Sequence, residues 1–544
     1  MRSFDRLAGG CAVGAALATG AWFAAGPLGV DAAAHLFQTA VYGQRGFELW
    51  SNYWYAGRYQ FVAYSLVYYP LASLVGVVAA AIASAAVICG LSALVMRREW
   101  GDAARWPAAA LVPVTTLMLM SSGAFPFAAG LAAACVAIER AGAGRRGTAA
   151  VAAAASVAFS PLAGLLLATL LAAALFGRPG VRRRLVSQRR LAAGIAAALA
   201  TGAVLQRAFP SGGRYPFAAA DVLVVLGFCL LGLWLCRGAA RARPLAALFA
   251  AYLAINLAAF AAPGPLGSNT TRLFTTAGGP LILLAAIIGR PHRRLLVVPL
   301  VMAVFAVQLG PALRNASWTS ADPAAVPAFW APVERFLAEH SDGQHRVEVV
   351  ATAGHWESFY LADRRVPLTR GWFRQDDFPQ NDVLYAQLLS AGAYRRWLHR
   401  LGVEYVLLPS ARLDYSSQAE ARLLRSGTSG LRLAARLPGW TVYRLRRPTP
   451  LVTRRGGGRA TVTTLGASQI IFWAAAPGIY DVRVRYSPYW AVPHGACVRP
   501  GPAGMTQVEV AAPGLVRLAI DLSLSAIADQ TVGVGSPVAA CVPA

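Results

Sequence analysis

Asp31 and His35 stand one helical turn apart, directly after the first hydrophobic segment of a 544-residue chain. A carboxylate at the edge of an apolar run costs free energy unless it meets water or a substrate cavity. An imidazole at i+4 falls on the same helix face, where it could orient or protonate the acid. The same stretch, Asp31 to Pro70, also carries Glu48 and Arg58, and later loops bring Arg207, Arg214, Asp221, Asn269 and Arg272. A carboxylate beside arginines suits proton removal from a sugar hydroxyl while guanidinium groups hold a departing phosphate through charge-assisted bonds. On this reading Asp31 and His35 are catalytic, Arg58, Arg214, Asn269 and Arg272 bind a phosphate-bearing donor, and Glu48 contacts the acceptor. Each also has a plainer role: Asp31 could cap the following helix, Glu48 could pair with Arg45 or Arg58, and Arg272 could anchor to lipid headgroups.

A second dense patch is GHWESFYLADRRVPLTRGWFRQDD, Gly354 to Asp377. Aromatic rings stack on sugar faces while carboxylates and guanidinium groups hydrogen-bond hydroxyls, so His355, Trp356, Glu357, Arg370, Trp372, Arg374 and Asp376 form a candidate acceptor site. The alternative is a satisfied ion-pair network. His355 and Glu357 lack a second histidine at metal spacing, which argues against zinc, and no cofactor is assigned beyond an open place for a divalent cation. Tyr486 to Trp490 and His494 could line a carbohydrate face or fill a core.

Composition says what carries these groups. With 57% hydrophobic and 14% charged residues and a mean hydropathy of +0.49, the chain reads as a polytopic membrane protein. All 50 basic residues are arginine, and the net charge is +26. These arginines fall in short clusters between apolar runs, as on a cytoplasmic membrane face, so nucleic acid is excluded as a partner. Eleven apolar runs can be traced, beginning with an uncleaved Leu7–Ala25 and a long Val62–Val95, and ending with Leu295–Leu309. Every arginine cluster then lands inside, and the Gly/Pro/aromatic loops holding Asp31, Arg214 and Arg272 land outside. The N-terminus is expected in the cytoplasm and everything after about Pro311 on the far side of the plasma membrane.

That later part has a soluble character. RVEVVATA (Arg346 to Ala353) and VEYVLLP (Val403 to Pro409) predict buried strands flanking a helix over Ala393 to Gly402, and alternating runs after Arg454 to Ala460 predict a β-sandwich. The expected architecture is a helical membrane domain over 1–312, an extracytoplasmic α/β domain over 313–453 and an extracytoplasmic β-sandwich over 454–544. Five cysteines lie in apolar runs as small core residues. Cys497 and Cys541 stand apart and are candidates for one disulfide.

The D-x-x-x-H after helix one, the aromatic run holding Trp50, Tyr55 and Gly57, and the Tyr-Pro start of the next helix resemble the GT-C superfamily of multi-pass glycosyltransferases. More narrowly they resemble its actinobacterial-looking branch related to YfhO and to the 6-pyruvoyl-tetrahydropterin-synthase-related membrane proteins. The resemblance implies a polyprenyl-phosphate-linked sugar donor, an envelope glycan or lipid acceptor, Asp31 as base and Arg272 as phosphate clamp. The paired acidic motif of many members is missing from the first loop. The alternative is a non-catalytic membrane protein, either a transporter of lipid-linked glycans or an envelope-assembly scaffold with glycan-binding external domains.

Overall fold

The computed structural model describes residues 2–26, 28–62, 64–177, 189–210, 213–290, 294–458, 460–492 and 495–532. Most of the basic loop at 177–190, part of that at 289–294, His494 and Cys541 lie outside them. Cys497 is disulfide-bonded, and the five cysteines of the apolar runs are free and buried.

The chain forms two compact units, each assembled from separated stretches. The first comprises 1–35, 64–203 and 214–321, and it is helical. Its principal helices are α1 (Arg2–Ala25), the start of α2 (Ala32–Arg45), α3 (Tyr68–Val75), α4 (Val77–Trp100), α5 (Arg105–Ser122), α6 (Phe125–Gly142), α7 (Arg146–Phe159), α8 (Pro161–Phe176), all but the end of α9 (Arg189–Ala208), α10 (Ala219–Cys236), α11 (Arg243–Ala261), α12 (Arg272–Gly289) and α13 (Arg294–Ser320). Seven segments among the described residues are long and apolar enough to cross a membrane, one of them the α4–α5 run, and three further apolar helices are shorter. This is a multi-pass membrane protein.

Each of the eleven apolar runs has a helix, with one difference. The run from Val62 to Val95 breaks at Gly76, whose φ of 86° ends α3 before α4 begins. Between apolar helices in lipid, packing comes from close approach of small residues. A Cβ on Gly90 of α4 would stand 3.0 Å from the Ala12 methyl of α1, and one on Gly130 of α6 would stand 2.8 Å from that of Ala163 in α8.

The second unit comprises 36–63, 204–213 and 322–544. It contains a four-stranded sheet, β3 (Arg346–Val349), β4 (Val403–Pro409), β5 (Arg432–Leu437) and β6 (Trp440–Arg444), in the order β3-β4-β6-β5. Only β3 and β4 are parallel. Strand β4 is buried along its whole length, and the preceding helix Ala391–Leu401 ends on Gly402 in the left-handed region. Two further four-stranded sheets follow, one of β7 (Val452–Arg454), β10 (Gly478–Arg485), β12 (Ala496–Pro500) and β13 (Met505–Val510), the other of β8 (Ala460–Leu465), β9 (Gln469–Ala474), β11 (Trp490–Ala491) and β14 (Gly514–Ile520). Burial alternates along β10 and β9, as a sheet with one face on a core requires.

The stretch Leu49–Phe61, with the short antiparallel pair β1 (Trp50–Ser51) and β2 (Arg58–Tyr59), is threaded through this unit. Trp50 and Tyr59 join the core of the two later sheets, and Ala56 joins the α/β core. Asn52 bonds the backbone of Gly466 and Gln469, the Trp54 indole donates to the carbonyl of Ser358, and the Tyr55 hydroxyl donates to that of Phe373. Tyr55, Ala56 and Phe61 hold φ near +57°, a strained choice for side-chain-bearing residues that the surrounding contacts enforce.

Candidate active site

In the helical unit, Asp31 Oδ2 lies 3.2 Å from Arg272 Nη2. Both side chains are partly exposed and line a cavity of about 430 Å³ with Asp221, Asn269, Gln308, Phe127 and several valines. The position of Asp31 comes from the backbone. Asp31 N–H donates to the carbonyl of Ser122 at the end of α5, and Gly29 crosses Gly123 so closely that a Cβ on Gly29 would collide with the Gly123 nitrogen. Two glycines therefore fix the start of α2 against α5.

Arg272 opens α12 after a 3₁₀ turn, Gly267–Thr271. Its Nε donates to Asn269 Oδ1 at 3.4 Å, and its guanidinium lies 5.5 Å from the centre of the Phe127 ring. The turn is held by a neighbouring loop: Tyr215 N–H donates to Gly264, Ser268 N–H donates to Pro216, and a Cβ on Gly267 would collide with the Tyr215 carbonyl. Arg214 lies on the exposed side of that loop. Below Arg272, the amide of Gln308 from α13 spans one turn of α12, accepting from Gly279 N–H and donating to the carbonyl of Thr275. This bracing comes just before Pro280, which lacks a donor.

His35 is fully buried in a cage of Tyr64, Tyr68, Tyr69 and Phe125, with Nδ1 3.2 Å from the Tyr69 hydroxyl. Burial first, and the Arg272 charge second, lower its pKa to about 3, so the ring is neutral. Burial raises the Tyr64 hydroxyl, and Arg272, Asp31 and Tyr215 all act on it electrostatically, which puts these four groups in one neighbourhood.

The remaining candidates belong to the second unit. Arg58 Nε is 2.8 Å from Asp376 Oδ2, both side chains are buried, and the guanidinium lies 4.0 Å above the Phe373 ring. Glu48 pairs with Arg45 at 3.0 Å and accepts from Ser468. Arg207 donates to the carbonyl of Thr531. Arg370 sits between Glu348 and Glu420, at 2.9 and 3.3 Å, with the Tyr394 hydroxyl on Glu420. Burial raises both carboxyls, and the Arg370 guanidinium they share pulls the other way.

Arg374 makes a two-pronged contact with Asp414 at 3.1 and 2.9 Å, and Asp414 also faces His355 Nε2 at 3.6 Å. His355 Nδ1 lies 3.2 Å from Glu357, which is itself held by Thr352. Burial opposes charge on His355, but Asp414 and Glu357 outweigh it and raise the pKa to about 9. Trp356 is buried, and Trp372 is half-buried with its ring edge-on to Phe373.

The structure thus gathers Asp31, Asn269 and Arg272 with His35 nearby. It places Arg58 with Asp376, Arg374 with His355 and Glu357, and Arg370 with two carboxylates not singled out from sequence. Asp221, read from sequence as a loop residue near the others, lines the same cavity, whereas Tyr64, Tyr215 and Gln308 were missed as neighbours, and the glycines of GPLG and SSG were the available signal for the crossing at Asp31. For a cation, Asp342, His345 and Glu404 have ligand atoms within 4.8 Å of one another among the described residues, but Arg444 already pairs with Glu404 at 2.8 Å.

No family model and no curated protein matches the chain. Among solved structures it is similar to the arabinofuranosyltransferase AftD from Mycobacteria, at 19% identity and a TM-score of 0.48 over 84% of this chain. It is also similar to the oligosaccharyltransferase AglB from Archaeoglobus fulgidus, at 12% identity and a TM-score of 0.31 over 71% of this chain. The chain spans 41% of the AftD chain and 66% of the AglB chain.

Proposed function

We propose that the protein is a GT-C-type membrane glycosyltransferase of the YfhO-related, actinobacterial kind, moving a sugar from a polyprenyl-phosphate donor to a cell-envelope glycan or lipid acceptor. The observation that carries this reading is the Asp31–Arg272 pair lining one cavity among apolar helices. Asp31 takes the proton from an acceptor hydroxyl as that oxygen bonds to the anomeric carbon. The bond from that carbon to the phosphate oxygen breaks, and its electron pair leaves with the polyprenyl phosphate, held by Arg272 and positioned by Asn269. His35, neutral and caged, fixes the aromatic wall behind Asp31. Arg214 supplies positive charge at the mouth, and the apolar lining follows the isoprenoid.

In this reading the N-terminus is cytoplasmic, and the later part, divided near 312 and 453, lies outside the plasma membrane. The acceptor is met by Trp372 and the residues around it. The pairing of Arg58 with Asp376, and the network of His355, Trp356, Glu357, Arg370 and Arg374, supports positioning roles there.

Asp31→Asn in the full chain, reconstituted in nanodiscs with lipid-linked donor, tests the assignment. Transfer is expected to fall by about 10²–10⁴-fold, the usual worth of a general base, with unchanged melting. Wild-type rates in the folded Asp31→Asn variant would refute it.

A further inference from the structure

Besides the cavity, three features stand out: the buried Arg370 network, the Asp342–His345–Glu404 cluster, and the exposed face of the β8–β9–β14 sheet with Trp473. The Arg370 network is sealed, Glu404 of the cluster is already paired, and nothing shows what would cover the sheet face. The cavity carries an inference about order.

We propose that the Asp31–Arg272 ion pair is a resting latch that the phosphate of the donor opens, so that the base is freed only after donor binds. This rests on the function proposed above. Three observations support it. The two side chains that would serve opposite substrates are engaged with each other at 3.2 Å. The guanidinium fork is divided in this state, with Nη2 on Asp31 and Nε reaching Asn269 at 3.4 Å, the long edge of hydrogen bonding. Both side chains are partly exposed to the cavity rather than sealed beneath it, so an arriving anion can compete for the arginine.

A phosphate presents two oxygens that match the parallel N–H groups of one guanidinium edge, a better partner than a divided fork. When Arg272 turns to phosphate, Asp31 Oδ2 is released from the guanidinium and can accept the proton of an acceptor hydroxyl. Without phosphate the oxygen is occupied, and an acceptor or water entering first meets a blocked base. The latch therefore protects the donor against hydrolysis by a misplaced water and imposes donor-first order.

The test is a binding cycle on the full chain in phosphatidylcholine nanodiscs, with polyprenyl monophosphate as probe. Inorganic phosphate and nanodiscs containing phosphatidylglycerol form separate arms. Asp31→Asn should bind polyprenyl phosphate more tightly than wild type, by about fivefold for a partly exposed ion pair, because the phosphate no longer displaces a carboxylate. Arg272→Gln should weaken binding, and in the double variant the Asp31→Asn gain should vanish. A gain that persists without Arg272 would mean simple charge repulsion and overturn the latch. An Asp31→Asn protein that binds no more tightly than wild type would overturn it as well, with the transferase reading intact. Wild-type binding by Arg272→Gln would instead remove the clamp and the functional reading with it. Inorganic phosphate competing as well as the lipid would assign the latch to free phosphate, and competition by phosphatidylglycerol would assign it to bulk headgroups; either overturns the donor as the key.

Discussion

Asp31 with Arg272 and Arg370 with Glu348 and Glu420 use the same functional groups under opposite conditions. The first pair is partly exposed beside a cavity, with the arginine's fork shared out to Asn269. In the second, the guanidinium is about 6% exposed, the carboxylates are fully buried, and Ser417, Tyr394 and a backbone carbonyl add hydrogen bonds, with Glu348 Oε2 left without one. A sealed network resists exchange of partners, whereas a partly exposed and divided pair invites it. Identical residue types therefore read as architecture in one place and as a working site in the other, and solvent access is the difference.

The comparison breaks most sharply at Arg370. Arg370→Ala strands two carboxyls in the core and should cost about 3–5 kcal/mol of stability in the second unit, measured by denaturant melting of the full chain. A loss below about 1 kcal/mol would put that network at a hydrated surface. Next in size is Gly29→Ala, which touches no reacting group but forces apart the backbones of Gly29 and Gly123. Displacing Asp31 by this route should lower transfer by about 10²-fold, and a wild-type rate would show that the crossing does not set the site.

His355 gives a smaller effect that depends on pH. Its folded pKa is raised from 6.5 to about 9, so its contribution is fully present below pH 6.5 and is lost as pH rises through 9. Wild-type stability should fall across that window by on the order of 1–3 kcal/mol, and His355→Gln should flatten the decline; equal slopes would assign the fall elsewhere. Smallest is Glu48→Ala, where removing a partly exposed pair with Arg45 should change stability by at most about 1 kcal/mol. A larger loss would make Glu48 part of the core, joining it to the Arg370 class.

Much of the fold was legible because long apolar runs and alternating strands announce themselves: β3, β4 and the helix between them fall where the pattern puts them, and each of the eleven apolar runs holds helix, although only seven segments among the described residues are long and apolar enough to cross a membrane. Gly76 was the local break that hydropathy alone passes over. Asp31 and Arg272 were legible as separate residues in loops expected on one face, and their contact follows that expectation. Arg58 was misleading for a physical reason, since an arginine in an aromatic run reads the same from sequence whether its partner is a ligand or a buried aspartate 318 positions away. The Arg370 partners were invisible because Glu348 and Glu420 sit in segments that otherwise read as a strand and a surface helix. Gln308 was hidden too, since nothing in an apolar helix signals that one amide reaches into its neighbour.

The threading of residues 36–63 through the second unit has a consequence for biosynthesis. Trp50, Tyr59 and Phe209 leave the ribosome far ahead of the strands from Leu451 to Leu518 that close over them. These aromatic side chains must wait, without their core, while the intervening helices are inserted. Ending the chain near residue 321 would not release a self-sufficient helical half but would leave an aromatic loop with nothing to fold into. Quality control during synthesis would therefore act on this loop, whose core is supplied by strands made about 240 to 470 residues later.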